Sequence, residues 1–192
     1  MIGYETMKET RKKYYDSGAL REESSWEDGR LNGPLTTYYE TGQLQAEGHY
    51  KDGNLDGPVK VYYTNGILNS ESTYADGKIE GPFRIYYETG QLQSEVQYKN
   101  GKETGPMRLY YKNGPLRKEI HYQSGKKNGP LTVYYECGKK LLEGAYQDDL
   151  LNGKIKVYFE HGPLMTEEEY RSGEPQGKPK FKFLTEYYLN NL

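Results

Sequence analysis

At 192 residues the chain could hold one or two ordinary domains, yet only 34% of it is hydrophobic, which argues against a deep globular core. A net charge of −2, with lysine and arginine interspersed among glutamates, lacks the electrostatic footprint of a nucleic-acid or anionic-membrane binder. Cys137 is the single cysteine, so an intrachain disulfide is excluded and a reducing compartment fits. No apolar run approaches about 18 residues and no signal-peptide core follows Met1, so the expected location is cytoplasmic.

The chain repeats itself. Glycine followed by proline recurs at Gly33, Gly57, Gly81, Gly105 and Gly129, 24 residues apart each time, and Gly153 and Gly177 continue the series with lysine after the glycine. That period marks arrays and solenoids, whose units contact mainly their neighbours. Regularly spaced tyrosines, 22 in all, favour strands and can bury a ring while keeping a polar tip wet. The predicted fold is all-β: an elongated, single-layer antiparallel β-meander built from 24-residue hairpin repeats.

Residues 1–8 read as a polar lead-in, and 9–177 as seven repeats. In the first repeat Tyr14, Tyr15, Gly18, Leu20, Glu23, Trp26 and Gly29 are in phase, but Glu9, Arg11 and Lys13 occupy places that are glycine or apolar later. A charged outer strand discourages edge-to-edge pairing, so this unit is expected to be a cap. The following units alternate with a period of two: Phe83, Ile85 and Tyr87 face one way, Arg84, Tyr86 and Glu88 the other. In the second run Leu92, Ser94, Val96 and Tyr98 oppose Gln93, Glu95 and Gln97.

Between the two runs stand TG, NG, TG, NG, CG and HG. Asn65-Gly66 and Asn113-Gly114 predict two-residue hairpin loops, which require positive φ at both central residues. A three-residue loop with a glycine bulge competes, but by shifting the register by one it would mix apolar and charged positions on a face. The two-residue register sets Arg84 opposite Glu95, Lys60 opposite Glu71, Arg108 opposite Glu119 and Lys156 opposite Glu167. The links, such as 51–57, are too short for helices, so successive hairpins should lie side by side. Lys140 stands where leucine is expected, with Leu141 one place later, which predicts a local bulge there. In 178–192, Pro179, Phe181 and Phe183 alternate with Lys178, Lys180 and Lys182, suggesting a capping edge strand; 184–192 reads equally as a short helix or a tail.

No catalytic, metal or cofactor site emerges. His49 and His121 share a phase three repeats apart, too far to share an ion, and His161 sits in a turn without a second donor. Cys137 has no base and orienting group in a recognisable set. Glu23, Glu47, Glu71, Glu95, Glu119, Glu143 and Glu167 recur once per unit, which suits strand pairing rather than a single catalytic centre. The row Tyr38, Tyr62, Tyr86, Tyr110 and Tyr134, with Arg84 and Arg108 beside it, is the candidate partner-binding surface, because tyrosine and arginine are enriched at interface hot spots. Tyr86 shows no evident structural partner. The opposite face, with Leu44, Tyr39, Tyr50 and their counterparts, is apolar enough to need covering by curling, self-association or a partner.

The unit, carried by Tyr86, Tyr87, Gly90, Leu92, Glu95, Tyr98, Gly101 and Gly105, resembles the variant MORN repeat, and related chains built from it include the bacterial YwqK-type antitoxins. The resemblance implies a non-enzymatic module for protein–protein interaction, in bacteria an antitoxin or immunity protein whose partner is a toxin. A structural or membrane-peripheral scaffold is the alternative. It brings no catalytic residues and no cofactors.

Overall fold

The computed structural model describes residues 6–177; the capping strand and tail expected over 178–192 lie outside them. Among the described residues every element is a strand, and every strand pairing is antiparallel. The contacts divide the chain into two units, one running to Gly90 and one starting at Gln91.

The first unit is an ordered succession of strands: β1 (Lys8–Tyr14), β2 (Leu20–Glu27), β3 (Arg30–Tyr38), β4 (Leu44–Lys51), β5 (Asn54–Tyr62), β6 (Leu68–Ala75), β7 (Lys78–Ile79) and β8 (Gly81–Tyr86). Each strand from β1 to β6 pairs with the next, and β6 pairs with both β7 and β8, which follow one another along its side. The second unit follows the same plan with β9 (Leu92–Lys99), β10 (Lys102–Tyr110), β11 (Leu116–Gln123), β12 (Lys126–Tyr134), β13 (Lys140–Gln147), β14 (Leu150–Leu151), β15 (Gly153–Tyr158), β16 (Leu164–Arg171) and β17 (Glu174–Pro175). There β13 pairs with both β14 and β15.

The turn within each repeat differs from the two-residue loop expected from Asn65-Gly66. Tyr63 N–H donates to Ile67 C=O and Gly66 N–H to Tyr63 C=O, which encloses three loop residues, Thr64 to Gly66. Only the glycine has positive φ, 82° at Gly66 and 87° at Gly42. Thr41 shows the reason, since a β-branched residue resists the left-handed conformation that a two-residue loop would force on it. The predicted register nevertheless holds, because a second irregularity corrects it. Tyr62 pairs with Leu68 but Val61 with Ser70, so Asn69 is an extra residue, and Lys60 then faces Glu71. The same one-residue bulge follows the turn at Arg21, Gln45, Arg117, Leu141 and Met165, so the bulge expected only near Lys140 is a property of the repeat. Arg108 faces Glu119 and Lys156 faces Glu167, as the alternation requires.

The two-residue turns occur in the links instead. Asp52 and Gly53 have φ of 52° and 88°, Asn100 and Gly101 of 52° and 75°, and Lys51 pairs with Asn54 across the first of them. The glycines of the 24-residue series Gly33, Gly57, Gly81, Gly105 and Gly129 are not turn formers but lie in strands. Between Gly48↔Val59 and Tyr50↔Leu55 the register slips, so that the segment around Gly57 (φ 117°) bulges against His49. A Cβ on Gly57 would stand 3.4 Å from His49 Cβ, and one on Gly33 2.9 Å from Ser25 Cβ. The backbone angle opposes a side chain at both, and at Gly33 the close approach adds a steric bar, whereas the contact at Gly57 is an ordinary one.

The apolar face is filled unevenly. In the second unit Leu131, Val133, Leu142, Ile155 and Val157 are buried to 0–1% exposure and cluster with Ile120, Leu141 and Tyr170. In the first unit the same phases include Ser24, Leu35, Thr37, Ala46, Gly48, Val59, Val61, Ser70, Ser72, Phe83 and Ile85, and of these only the serines Ser24 and Ser72 are buried. Lys118 is an exception to the apolar pattern. It pairs with Leu109 and Val133 and is buried to 6% exposure, which, together with the neighbouring Lys127 and Arg117 charges, pulls its pKa down to about 8.

Candidate interaction surface

The opposite, polar face carries the residues that the sequence singles out. Strand alternation places one tyrosine, one cation or threonine, and one glutamate of every repeat on it, and the register brings them together across hairpins. Tyr86 is not without a partner: its hydroxyl donates to Glu71 Oε1 at 2.7 Å. Tyr62 donates likewise to Glu47 at 2.7 Å, Tyr110 to Glu95 at 3.1 Å and Tyr158 to Glu143 at 2.6 Å. In each case the acceptor belongs to the preceding hairpin.

In three of these four, the cation two residues before the tyrosine joins the same carboxylate. Arg84 reaches Glu71 at 3.2 Å, Arg108 reaches Glu95 at 3.3 Å and Lys156 reaches Glu143 at 3.4 Å. Arg108 also donates through Nε to Glu119 at 2.7 Å, so one guanidinium ties two hairpins. The glutamate row therefore pairs between hairpins as well as within them, while Glu167 takes Lys154 at 2.6 Å. Tyr38 and Tyr134 mark the rule by exception. Thr36 and Thr132 replace the cation there, and neither tyrosine hydroxyl has a hydrogen-bond partner among the described residues.

These contacts tune the acids. Lys140, then Tyr158, hold the Glu143 carboxyl down at about 2, and the Glu143 hydrogen bond, then burial, push the Tyr158 phenol up to about 12. Burial, then Glu47, raises Tyr62 to about 12. The Tyr86 hydrogen bond leads the forces that lower Glu71. Chemically the row can present half-exposed aromatic rings and fixed charges, but its tyrosine–glutamate pairs repeat instead of converging on one point.

A second tyrosine row, which sequence reasoning assigned only to the apolar side, does structural work. Tyr15 donates its hydroxyl to the backbone carbonyl of Tyr38, Tyr39 to Tyr62, Tyr63 to Tyr86, Tyr111 to Tyr134 and Tyr135 to Tyr158, all at 2.7–2.8 Å. The donor always lies 23 residues before its acceptor. The doubled tyrosine in each repeat was the available signal: one ring serves each face.

The histidines scatter. His49 Nδ1 lies 3.2 Å from the Asp56 carbonyl, His121 lies 3.4 Å from Glu119, and His161 stacks on Phe159. Among the described residues no group of three or more His, Cys, Asp or Glu could hold a metal ion, and no helix is long and apolar enough to cross a membrane. Cys137 is exposed in its turn.

No curated protein matches the chain. Residues 31–52, 55–76, 79–100 and 103–124 match the family described as the MORN repeat variant, each match ending at the link turn, so this chain carries at least four repeats of the MORN variant type.

Proposed function

We propose that the chain is a non-enzymatic protein-binding module that docks through its polar tyrosine rows, Tyr38, Tyr62, Arg84 and Tyr86 in the first unit and Arg108, Tyr110 and Tyr134 in the second. Repeats of this type generally serve as protein- or membrane-interaction modules, and the near-neutral, interspersed charge favours a protein. The observation that carries the reading is the locked ladder. Half-exposed tyrosine rings are pinned through their hydroxyls to the carboxylates of the preceding hairpin, so little side-chain freedom is lost when a partner binds. We read 9–177 as seven repeats with the first as cap, and the finer role as that of an antitoxin or immunity protein.

Co-purification from the native host with identification by mass tests this. The wild type should retain one protein in stoichiometric amount, and Tyr86→Ala with Tyr110→Ala should lose it by about ten-fold or more, as expected of hot-spot truncation. Full retention by that double variant would remove the face from consideration. For the antitoxin role, the partner expressed alone should arrest growth and co-expression of this chain should restore it; a harmless partner sinks that role.

A further inference from the structure

The ladder rule makes a prediction about the outer edge of β1. Lys12 and Tyr14 stand in the phase of Lys60 and Tyr62, of Arg84 and Tyr86, and of Arg108 and Tyr110. In the last two repeats the pair grips the glutamate of the preceding hairpin, and in the first Tyr62 does so while Lys60 faces that glutamate in register. Among the described residues, no strand lies on the outer side of β1. Tyr14 is accordingly 58% exposed, and among the described residues its hydroxyl has no partner and its carbonyl, in phase with the Tyr38 carbonyl that accepts from Tyr15, receives no tyrosine hydroxyl. The strand is also basic. It carries Lys8, Arg11, Lys12 and Lys13 against Glu9 alone, and all its residues are exposed.

We propose that this edge binds an extended, glutamate-bearing strand from another polypeptide, which adds to the sheet beside β1 and places that glutamate against Lys12 and Tyr14. The chain itself shows the complement: in β4, Glu47 sits between Ala46 and Gly48, faces Lys60 of β5 in register and accepts the Tyr62 hydroxyl. Strand addition supplies backbone hydrogen bonds that any sequence can make, and the side chains then select. Lys8, Lys12 and Lys13 already lie 3.6, 3.5 and 2.9 Å from glutamates of β2, so Lys12 would bridge inner and outer carboxylates as Arg108 bridges Glu119 and Glu95. Their charge repels a second copy of β1 and favours a carboxylate-bearing strand. This surface is separate from the tyrosine-lined docking face, and its test does not depend on that face.

The test is titration of the ¹⁵N-labelled full chain with a synthetic peptide of the Leu44–Lys51 sequence. The amides of β1 should shift saturably, with Trp26, whose ring Arg11 covers at 3.9 Å, as a second reporter by fluorescence. Lys12→Gln and Tyr14→Phe should each weaken binding by roughly two- to five-fold, the scale of one cross-strand pair or hydrogen bond. A Gln-for-Glu47 peptide should weaken it similarly. Both protein positions are exposed, so folding survives the changes. Absence of a saturable response, shifts centred away from β1, or equal binding by a scrambled peptide would each overturn the proposal. If β1 amides move with protein concentration alone, the occupant is a second copy and the assignment falls.

Discussion

At the residue scale, the polar face works through one repeated unit, a tyrosine hydroxyl and a cation on a shared carboxylate. Its pH dependence follows in sign from the two acids. Glu143 titrates lower in the folded chain than unfolded, so its contribution is present above its ordinary value of 4.5 and lost as pH falls towards about 2. Tyr158 titrates higher when folded, so its contribution is present below 10 and lost as pH rises towards about 12. Tyr158→Phe should remove the alkaline part, and the Glu143 carboxyl should titrate higher by NMR, because one donor is gone. The ring stays, so the neutral-pH cost should be about 1 kcal/mol. Tyr134→Phe makes a useful contrast: its hydroxyl has no partner among the described residues, and its melting temperature should stay near that of the parent.

At the element scale, backbone geometry separates glycines that look alike in the sequence. Gly53 closes a two-residue turn at φ 88° with open space around it, so Gly53→Ala should cost about 1–2 kcal/mol by denaturant titration from backbone strain alone. Gly48 and Gly144 share a phase and lack positive φ. A Cβ at Gly48 meets Val59 at ordinary contact, and Gly48→Ala should be neutral or stabilising by roughly 0.5–1 kcal/mol. At Gly144 the same Cβ would run into Ile155 Cδ1, a side chain 1% exposed, and Gly144→Ala should cost about 1–3 kcal/mol. The sequence revealed strands, faces and pairing partners here because period-two alternation is a direct consequence of the pleat. It concealed the loop length because two errors cancel: a three-residue turn and the bulge at Asn69 together reproduce the register of a two-residue loop. Thr41 and Cys137 before the turn glycines, against Asp52 and Asn100 in the links, were the chemical clue to which loop is which. The Tyr86–Glu71 contact was hidden for another reason. It joins residues 15 apart in neighbouring hairpins, whereas turn position fixes pairing partners only within one hairpin.

At the scale of the molecule, the two units differ in what fills the apolar face. Leu142, at 0% exposure, should cost about 2–5 kcal/mol when cut to alanine, while Val61→Ala, at a half-buried site, should stay near 1 kcal/mol. Amide exchange should follow: β12, β13 and β15 should be better protected than β3, β4 and β5, because local opening tracks local burial. Equal protection in the two sets would show that hydrogen bonding along the repeats, and not side-chain burial, sets the stability. The composition had warned of a thin core, and the first unit bears this out with Ala46, Gly48 and Ser70 at core-facing places. The sequence did carry the asymmetry, in Leu131, Leu142 and Ile155, but the repeat pattern drew attention to sameness.

The tyrosine-to-carbonyl contact, donor always 23 residues before acceptor, has an arithmetical effect on how such a chain can change its length. Excising one whole period, for instance residues 39–62, brings Tyr63 directly after Tyr38 and leaves every surviving donor the same distance from an equivalent acceptor. Cutting one residue more or fewer throws the contact at the junction out of step and turns side chains to the wrong face. Length in this chain is thus quantised, and growth or loss by whole repeats is the change the fold absorbs most easily.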